Sequence, residues 1–200
     1  GDRSWPSYLS YRDSRIPSVG EYPSHWKLAF LDKVVDPARR ITYGIVQPGP
    51  HVVDGVPYVH QRFLGDDPID HAVLMRTAPD IAARYPRSRL REGDVLLGII
   101  RNLRVSIATA TLEGANITRG VVRIRPGDRV TGRWVMRCLQ SPYIQAWMRA
   151  RYLGINMPQI NVEHVRGMPV PVPAIEEQLE IVRIVDHWFT VLDDVERRIA

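Results

Sequence analysis

The chain has 200 residues, 44% of them apolar and 24% charged, with a net charge of +5 at neutral pH. That is enough apolar material for one sizeable core or for a domain with an appendage, and no apolar run approaches the about 18 residues of a membrane span. The single cysteine, Cys138, excludes an internal disulfide and suits a reducing compartment.

In chain order, residues 1–33 mix Pro, Ser, Tyr and Trp and read as an extended lead-in packed on the body, with a short apolar piece at Trp26–Leu31. Five short segments bounded by Gly, Pro, Asn or Asp read as strands: Thr42–Val46, Pro57–His60, Asp94–Ile100, Arg104–Ala110 and Val121–Arg125. In the last of these, Arg123 and Arg125 alternate with Val122 and Ile124, which predicts one charged and one buried face. Gly132–Gln140 reads as a helix. Ser141 and Pro142 suit the cap and first turn of a second helix, Tyr143–Tyr152, with Gly154 as its stop.

Near the end, "RGMPVPVPAIEEQLEIVRIVDHW" places prolines at 169, 171 and 173 directly before a long apolar-periodic run. Each proline fixes φ, donates no hydrogen bond and drives the preceding residue toward an extended conformation. Met168–Val172 is therefore expected as an extended arm or edge strand. Pro173 suits a first helical turn, and Glu176 and Glu177 complement the helix dipole there. Along the helix, Val182, Val185, Phe189, Leu192 and Ile199 keep heptad-like spacing. A second stripe runs through Ile181, Ile184, Trp188, Val191 and Val195. Together they form an apolar arc of roughly 160°, wide for one partner helix. It fits either packing on the chain's own body or a grip by more than one other helix. The fold class expected is α+β: a strongly bent mixed sheet with a few helices, then a long coiled-coil-forming helix, divided as residues 1–172 and 173–200.

The charge is unevenly spread. Arg76–Arg151 holds 15 arginines against five acids, while the remainder has 12 basic residues and 17 acids. A basic middle with acidic flanks points to a nucleic-acid face and a separate protein-facing element, or to a basic surface without such a partner.

Catalytic signatures are missing from the sequence. There is no "GK" for a phosphate loop and no GxGxxG before a helix. The six histidines form no HxH, HxxH or HExxH, so with one cysteine no metal site is expected. "QSPYIQ" is similar to the proline-aromatic motif of amino-methyltransferases but lacks its second proline, and reads better as a helix start. Glu92 and Asp94 faintly resemble a nuclease metal site; Asp94 reads better as ordering the turn into its strand. No catalysis is expected in this chain.

Five phrases, in order, carry a family resemblance: "YRDSRIPSVGEYPSHWKL", "TYGIVQPG", "RLREGDVLLGI", "EGANITRGVVRIRP" and "GINMPQINVEHVRGMPVPVPAIEEQLEIV". The chain resembles one half of the specificity subunit of a type I restriction-modification system, a host-defence assembly. One departure is the stretch Ile100, Arg101, Asn102, Leu103, where the family has a glycine-containing turn. The resemblance implies a target recognition domain that reads half of a bipartite site on double-stranded DNA. It also implies the start of a spacer helix that pairs with a second recognition domain's helix and with methyltransferase subunits. S-adenosylmethionine, ATP and magnesium would belong to the partner subunits, and the location would be cytoplasmic.

Strand-end loops on a rigid sheet suit base reading, which makes Gln61, Arg62, Arg101, Asn102 and Arg104 the base-reading candidates. Arg can grip guanine in the major groove, and Asn or Gln can grip adenine. Arg76, Arg84, Arg87, Arg89 and Arg91 are the phosphate candidates. The helix-partner candidates are Ile181, Val182, Val185, Trp188, Phe189, Leu192, Val195 and Ile199. Two other readings stay open: a fragment of a DNA-modifying methyltransferase, and a protein-interaction module without a DNA role.

Overall fold

The computed structural model describes residues 8–17, 19–65 and 68–199, the side chains of Asp193 and Ile199 excepted. The chain opens with a hairpin of β1 (Tyr11–Asp13) and β2 (Glu21–Pro23), followed by β3 (Lys27–Phe30), β4 (Thr42–Tyr43), β5 (Val56–Val59) and β6 (Met75–Thr77). Helix α1 (Pro79–Ala83), β7 (Val95–Gly98), β8 (Val105–Ile107), β9 (Asn116–Ile117) and β10 (Val121–Ile124) come next. Helices α2 (Gly132–Gln140), α3 (Pro142–Arg149) and α4 (Val162–Arg166), strand β11 (Pro169–Val172) and the long α5 (Ile175–Ile199) complete the chain.

The α+β expectation holds, with the strands divided among small sheets. The central one is four-stranded and antiparallel, in the order β4-β10-β7-β8. A three-stranded mixed sheet runs β6-β5-β9, with β5 and β9 parallel.

Strand β7 explains the architecture. All four of its residues are buried, because the central sheet is covered on both faces. Val95 and Leu97 point into a core built with Val122 and Ile124 of β10, Trp134, Val135 and Leu139 of α2, and Ile144 and Met148 of α3. Leu96 points the other way, into a second core with Val121, Leu64, Leu74, Leu90, Leu112 and Ile117. Period-2 alternation therefore serves two cores, and the strand reads as continuously apolar.

That second layer overturns the expectation of an open charged face on β10. Arg123 is only 2% exposed. Its Nη2 donates to the Arg40 carbonyl at 3.0 Å, and its guanidinium lies 3.8 Å from the fully buried carboxylate of Asp94. Burial pushes the Arg123 guanidinium down to about 10, with Asp94 acting in the opposite direction, so it stays charged at neutral pH. Asp94 does order the turn into β7, accepting from the Arg91 N–H at 2.8 Å. It also faces the guanidiniums of Arg39 at 3.1 Å and Arg125 at 3.6 Å.

The proline strip forms β11, paired antiparallel with β3 from Pro169↔Phe30 to Val172↔Lys27. Pro169 and Pro171 supply no N–H, so this strand can donate backbone hydrogen bonds along one edge only, while the Pro171 carbonyl accepts from the Trp134 indole at 2.9 Å. Helix α3 ends at Arg149 with Ala150 as its C-cap, so Gly154 is not its stop. Ser141 makes no side-chain cap bond to α3; its hydroxyl instead donates to the Cys138 carbonyl at 2.6 Å. Pro173 precedes α5 rather than occupying its first turn.

The first turns of α5 lean on the body. Gln178 is fully buried, its amide donating to the carbonyls of Arg129 and Pro173 at 2.8 and 3.0 Å while its oxygen accepts from the Thr131 N–H at 2.9 Å. Val182 is 6% exposed and lies in the main core, with Ile181 packed against it. Further along, Asp186 pairs with Arg133 and Arg137 of α2, and the Arg137 guanidinium sits 4.4 Å above the Phe189 ring. Beyond that turn Leu192 and Val195 are exposed, as is Trp188.

Candidate nucleic-acid interface

The five base-reading candidates come together at one end of the central sheet, from two loops. A single 3-10 turn, Gln61–Phe63, follows β5. His60 caps this turn, its Nδ1 accepting from the Arg62 N–H at 3.2 Å. An accepting Nδ1 agrees with a His60 pKa lowered first by burial and second by Arg62. The Arg62 guanidinium lies 4.7 Å over the Phe63 ring, and Arg62 is exposed. The β7–β8 turn reaches this loop through Arg104, whose Nη1 donates weakly to the Leu64 carbonyl at 3.5 Å.

Close packing fixes the arrangement. A Cβ at Gly98 would lie 2.6 Å from Asn102 Oδ1, and one at Gly120 would lie 2.8 Å from Gln61 Oε1. Gln61 Oε1 is buried and has no hydrogen-bond partner. A side chain at either glycine would displace a candidate reader, so both loops hold their side chains against bare backbone.

Arg101 has φ +64, one of two non-glycine residues in the left-handed region among the described residues. This is where the sequence departs from a glycine-containing turn, and the backbone keeps the conformation that glycine favours. The cost of holding arginine there marks the position as one under constraint. The Arg101 N–H donates to the Pro158 carbonyl at 2.7 Å, while the residue stays exposed.

The turn between β9 and β10 adds a residue that the sequence reading missed. Arg119 is exposed, its N–H donates to the Ile45 carbonyl at 2.9 Å, and the neighbouring Gly120 carbonyl accepts from the Ile99 N–H at 3.0 Å. Arg119 thus stands between the other two loops. The only signal was an arginine before a glycine at a strand start, in "ITRGVV".

The phosphate candidates are more dispersed. Arg91 lies just before β7 and Arg101 just beyond it, so at about 3.3 Å per residue the four-residue strand separates them by roughly 13 Å or more. Arg87 and Arg91 line a cavity of about 790 Å³ together with Arg39, Arg40, Arg123 and Arg166. Arg39, Arg123 and Arg166 are tied to backbone carbonyls, which leaves Arg40, Arg87 and Arg91 as the exposed cations of this rim. Arg89 is exposed beside them, and Arg84 is paired with Asp80 at 3.0 Å. Arg76 is half-buried on β6, its guanidinium donating to the Gly55 carbonyl at 3.1 Å.

Of the helix candidates, Ile181 and Val182 face the chain's own core, so they are not open to a partner. Val185 is half-buried, Trp188, Phe189, Leu192 and Val195 are exposed, and the Ile199 side chain lies outside those described. Asn116 is buried and braces the second core, its Oδ1 accepting from the Ser88 hydroxyl at 2.5 Å. Among the described residues no group of three or more His, Cys, Asp or Glu is placed to hold a metal ion. No helix there is long and apolar enough to cross a membrane.

No protein-family model matches the chain. It is 30% identical over 179 residues to the EcoBI specificity subunit, a type I restriction enzyme component of Escherichia coli, covering 88% of this chain and 38% of that protein. The EcoDI specificity subunit of the same organism is 21% identical, with 96% and 40% covered. In structure, the HsdS subunit of Thermoanaerobacter tengcongensis superposes with a TM-score of 0.67 at 22% identity, over 90% of this chain and 41% of that one. The chain spans about two fifths of the length of each of these proteins. It is a relative of type I restriction enzyme specificity subunits and shares the fold of one part of them.

Proposed function

We propose that this chain reads one half of a bipartite duplex DNA site on behalf of a type I restriction-modification complex. The observation that carries the reading is the convergence of three loops at one end of the central sheet. Arg62, Arg101 and Arg119 are all exposed there, alongside Gln61, Asn102 and Arg104. The sheet is buried on both faces, which makes it a rigid mount, and rigid loops suit groove reading. Arginine can grip guanine O6 and N7, and the Asn102 amide can grip adenine, each contact contributing about 1–3 kcal/mol of discrimination; Gln61, its Oε1 buried against Gly120, would reach a base only by turning out. Arg87, Arg89 and Arg91, exposed near the opposite end of β7, would set register on phosphates, and Arg84 would do so on leaving its pair with Asp80. Arg76, pinned to Gly55, would contribute field more than contact.

In this reading residues 1–172 are the recognition domain and 173–200 begin a spacer helix. The exposed stretch from Trp188 to Val195 would join helices of methyltransferase subunits and of a second recognition domain, in the same chain or in another copy. Chemistry would belong to those subunits, together with S-adenosylmethionine, ATP and magnesium, in the cytoplasm. Joining two half-site readers raises affinity through effective concentration, so this half alone should bind weakly.

The test is the salt dependence of binding to a random duplex. Release of counterions should make log K fall linearly with log salt, with a slope of about −0.9 per phosphate contacted. A flat salt response, or an affinity for S-adenosylmethionine in the isolated chain, would end the proposal.

A further inference from the structure

The loop after α3 puts apolar side chains in water. Ile155 is 98% exposed, Leu153 51% and Met157 46%. Single exposed apolar residues are ordinary. Three of them on one short loop that contributes nothing to either core need another reason.

The loop is also firmly held. Leu153 and Gln159 exchange both backbone hydrogen bonds, at 2.8 and 2.9 Å, and Gly154 makes the bend at φ +87. The Ile160 N–H donates to the Ile99 carbonyl at 2.9 Å and the Arg101 N–H to the Pro158 carbonyl at 2.7 Å. The apolar tip is thereby fastened to the end of β7 that carries Arg101. A groove of about 580 Å³ runs between the loop and Arg119, and none of its lining residues is acidic.

An apolar protrusion set among exposed guanidiniums matches the surface of a duplex. The cations answer phosphates and polar base edges, while apolar side chains meet thymine methyl groups or unstacked base faces. We infer that Ile155 and Met157 form an apolar base-contacting element of the half-site reader, a determinant of specificity beside the arginines. This inference rests on the DNA-reading proposal above and adds to it a contact that no charge supplies.

The test uses the reconstituted complex with its methyltransferase, its selected duplex and a random duplex, with the double variant Ile155→Ser, Met157→Ser. Ile155 lies in solvent and Met157 is about half covered, outside either core, so the thermal midpoint should stay nearly unchanged. Affinity for the selected duplex should fall about tenfold, within the range of one lost base contact, while random-duplex affinity stays within about twofold. Replacing thymines one at a time by deoxyuridine should weaken the wild type at one position and the variant no further, if the contact is to a methyl group. If it is to an unstacked base, 2-aminopurine at that step should brighten with the wild type only. Unchanged affinity for the selected duplex, an equal loss on both duplexes, or loss of methyltransferase assembly would each overturn the inference. A wild-type complex with no sequence preference would instead overturn the DNA-reading proposal on which it stands.

Discussion

Replacing Arg101 by glycine separates fold from function at one position. The wild-type residue sits at φ +64, a region that costs an L side chain about 1–2 kcal/mol. Glycine removes that cost and loses about 0.5–1 kcal/mol through its freer unfolded chain. The difference lies between about zero and about 1.5 kcal/mol of net stabilisation. Nothing offsets it, because the side chain is exposed and the bond from the Arg101 N–H to the Pro158 carbonyl survives the change. Binding should move the other way: loss of the guanidinium removes about 1–3 kcal/mol of discrimination at one base pair. Urea unfolding of the chain gives the first quantity, and competition among single-base variants of the site gives the second. A destabilised Arg101→Gly variant would refute the strain argument. Equal weakening on every sequence would mean that Arg101 touches phosphate alone.

Four further outcomes follow from the packing and its charges. Asp94→Ala strips the buried counter-ion from Arg123 and should cost about 3–5 kcal/mol in chemical denaturation, the range for a broken buried pair; a loss below about 1 kcal/mol would mean that the carbonyls of Arg39 and Arg40 hold Arg123 unaided. On α5, Leu192→Glu, at a 56% exposed position, should leave stability within about 0.5 kcal/mol and abolish assembly in a pull-down with the methyltransferase. Val182→Glu, in the core, should cost about 3 kcal/mol, and a folded, assembly-defective Val182→Glu chain would contradict the packing of the first turns. Burial pushes Glu177 up, but hydrogen bonds from Trp26, Tyr8 and His25 outweigh it and hold the carboxyl below its ordinary 4.5. Its contribution to stability is therefore complete above pH 4.5 and lost as pH falls through the lower folded value. Glu177→Gln should flatten the acid limb of a stability-versus-pH curve, and an unchanged limb would exclude Glu177 as a source of it.

The sequence was legible where structure is local. Helix α2 was read over Gly132–Gln140, the long α5 followed from apolar spacing, and β11 from the alternating prolines. The partner of β11 was not legible, because Phe30 and Pro169 meet across most of the chain and pairing at that separation leaves no local signal. The alternation in β10 was real, but a second core with residues 59 to 117 covers that face and the 39–40 backbone and Asp94 close in Arg123, so an apparently open face is buried. The wide arc on α5 admitted two readings; its first turns pack on the chain's own body, with Val182 inside, and further along Leu192 is exposed. At the candidate site, Gln61, Arg62, Arg101, Asn102 and Arg104 were drawn from loops at strand ends, where the structure brings them together. Arg119 was passed over because its place between the two loops depends on β9 running parallel to β5, which no short window reveals.

The most direct measurement is selection of bound sites from random duplexes by the reconstituted complex, repeated with Arg62, Arg101 and Arg119 each changed to alanine. The account predicts a bipartite consensus in which each change relaxes a position within one and the same half-site. A consensus that stays intact through all three changes would contradict it.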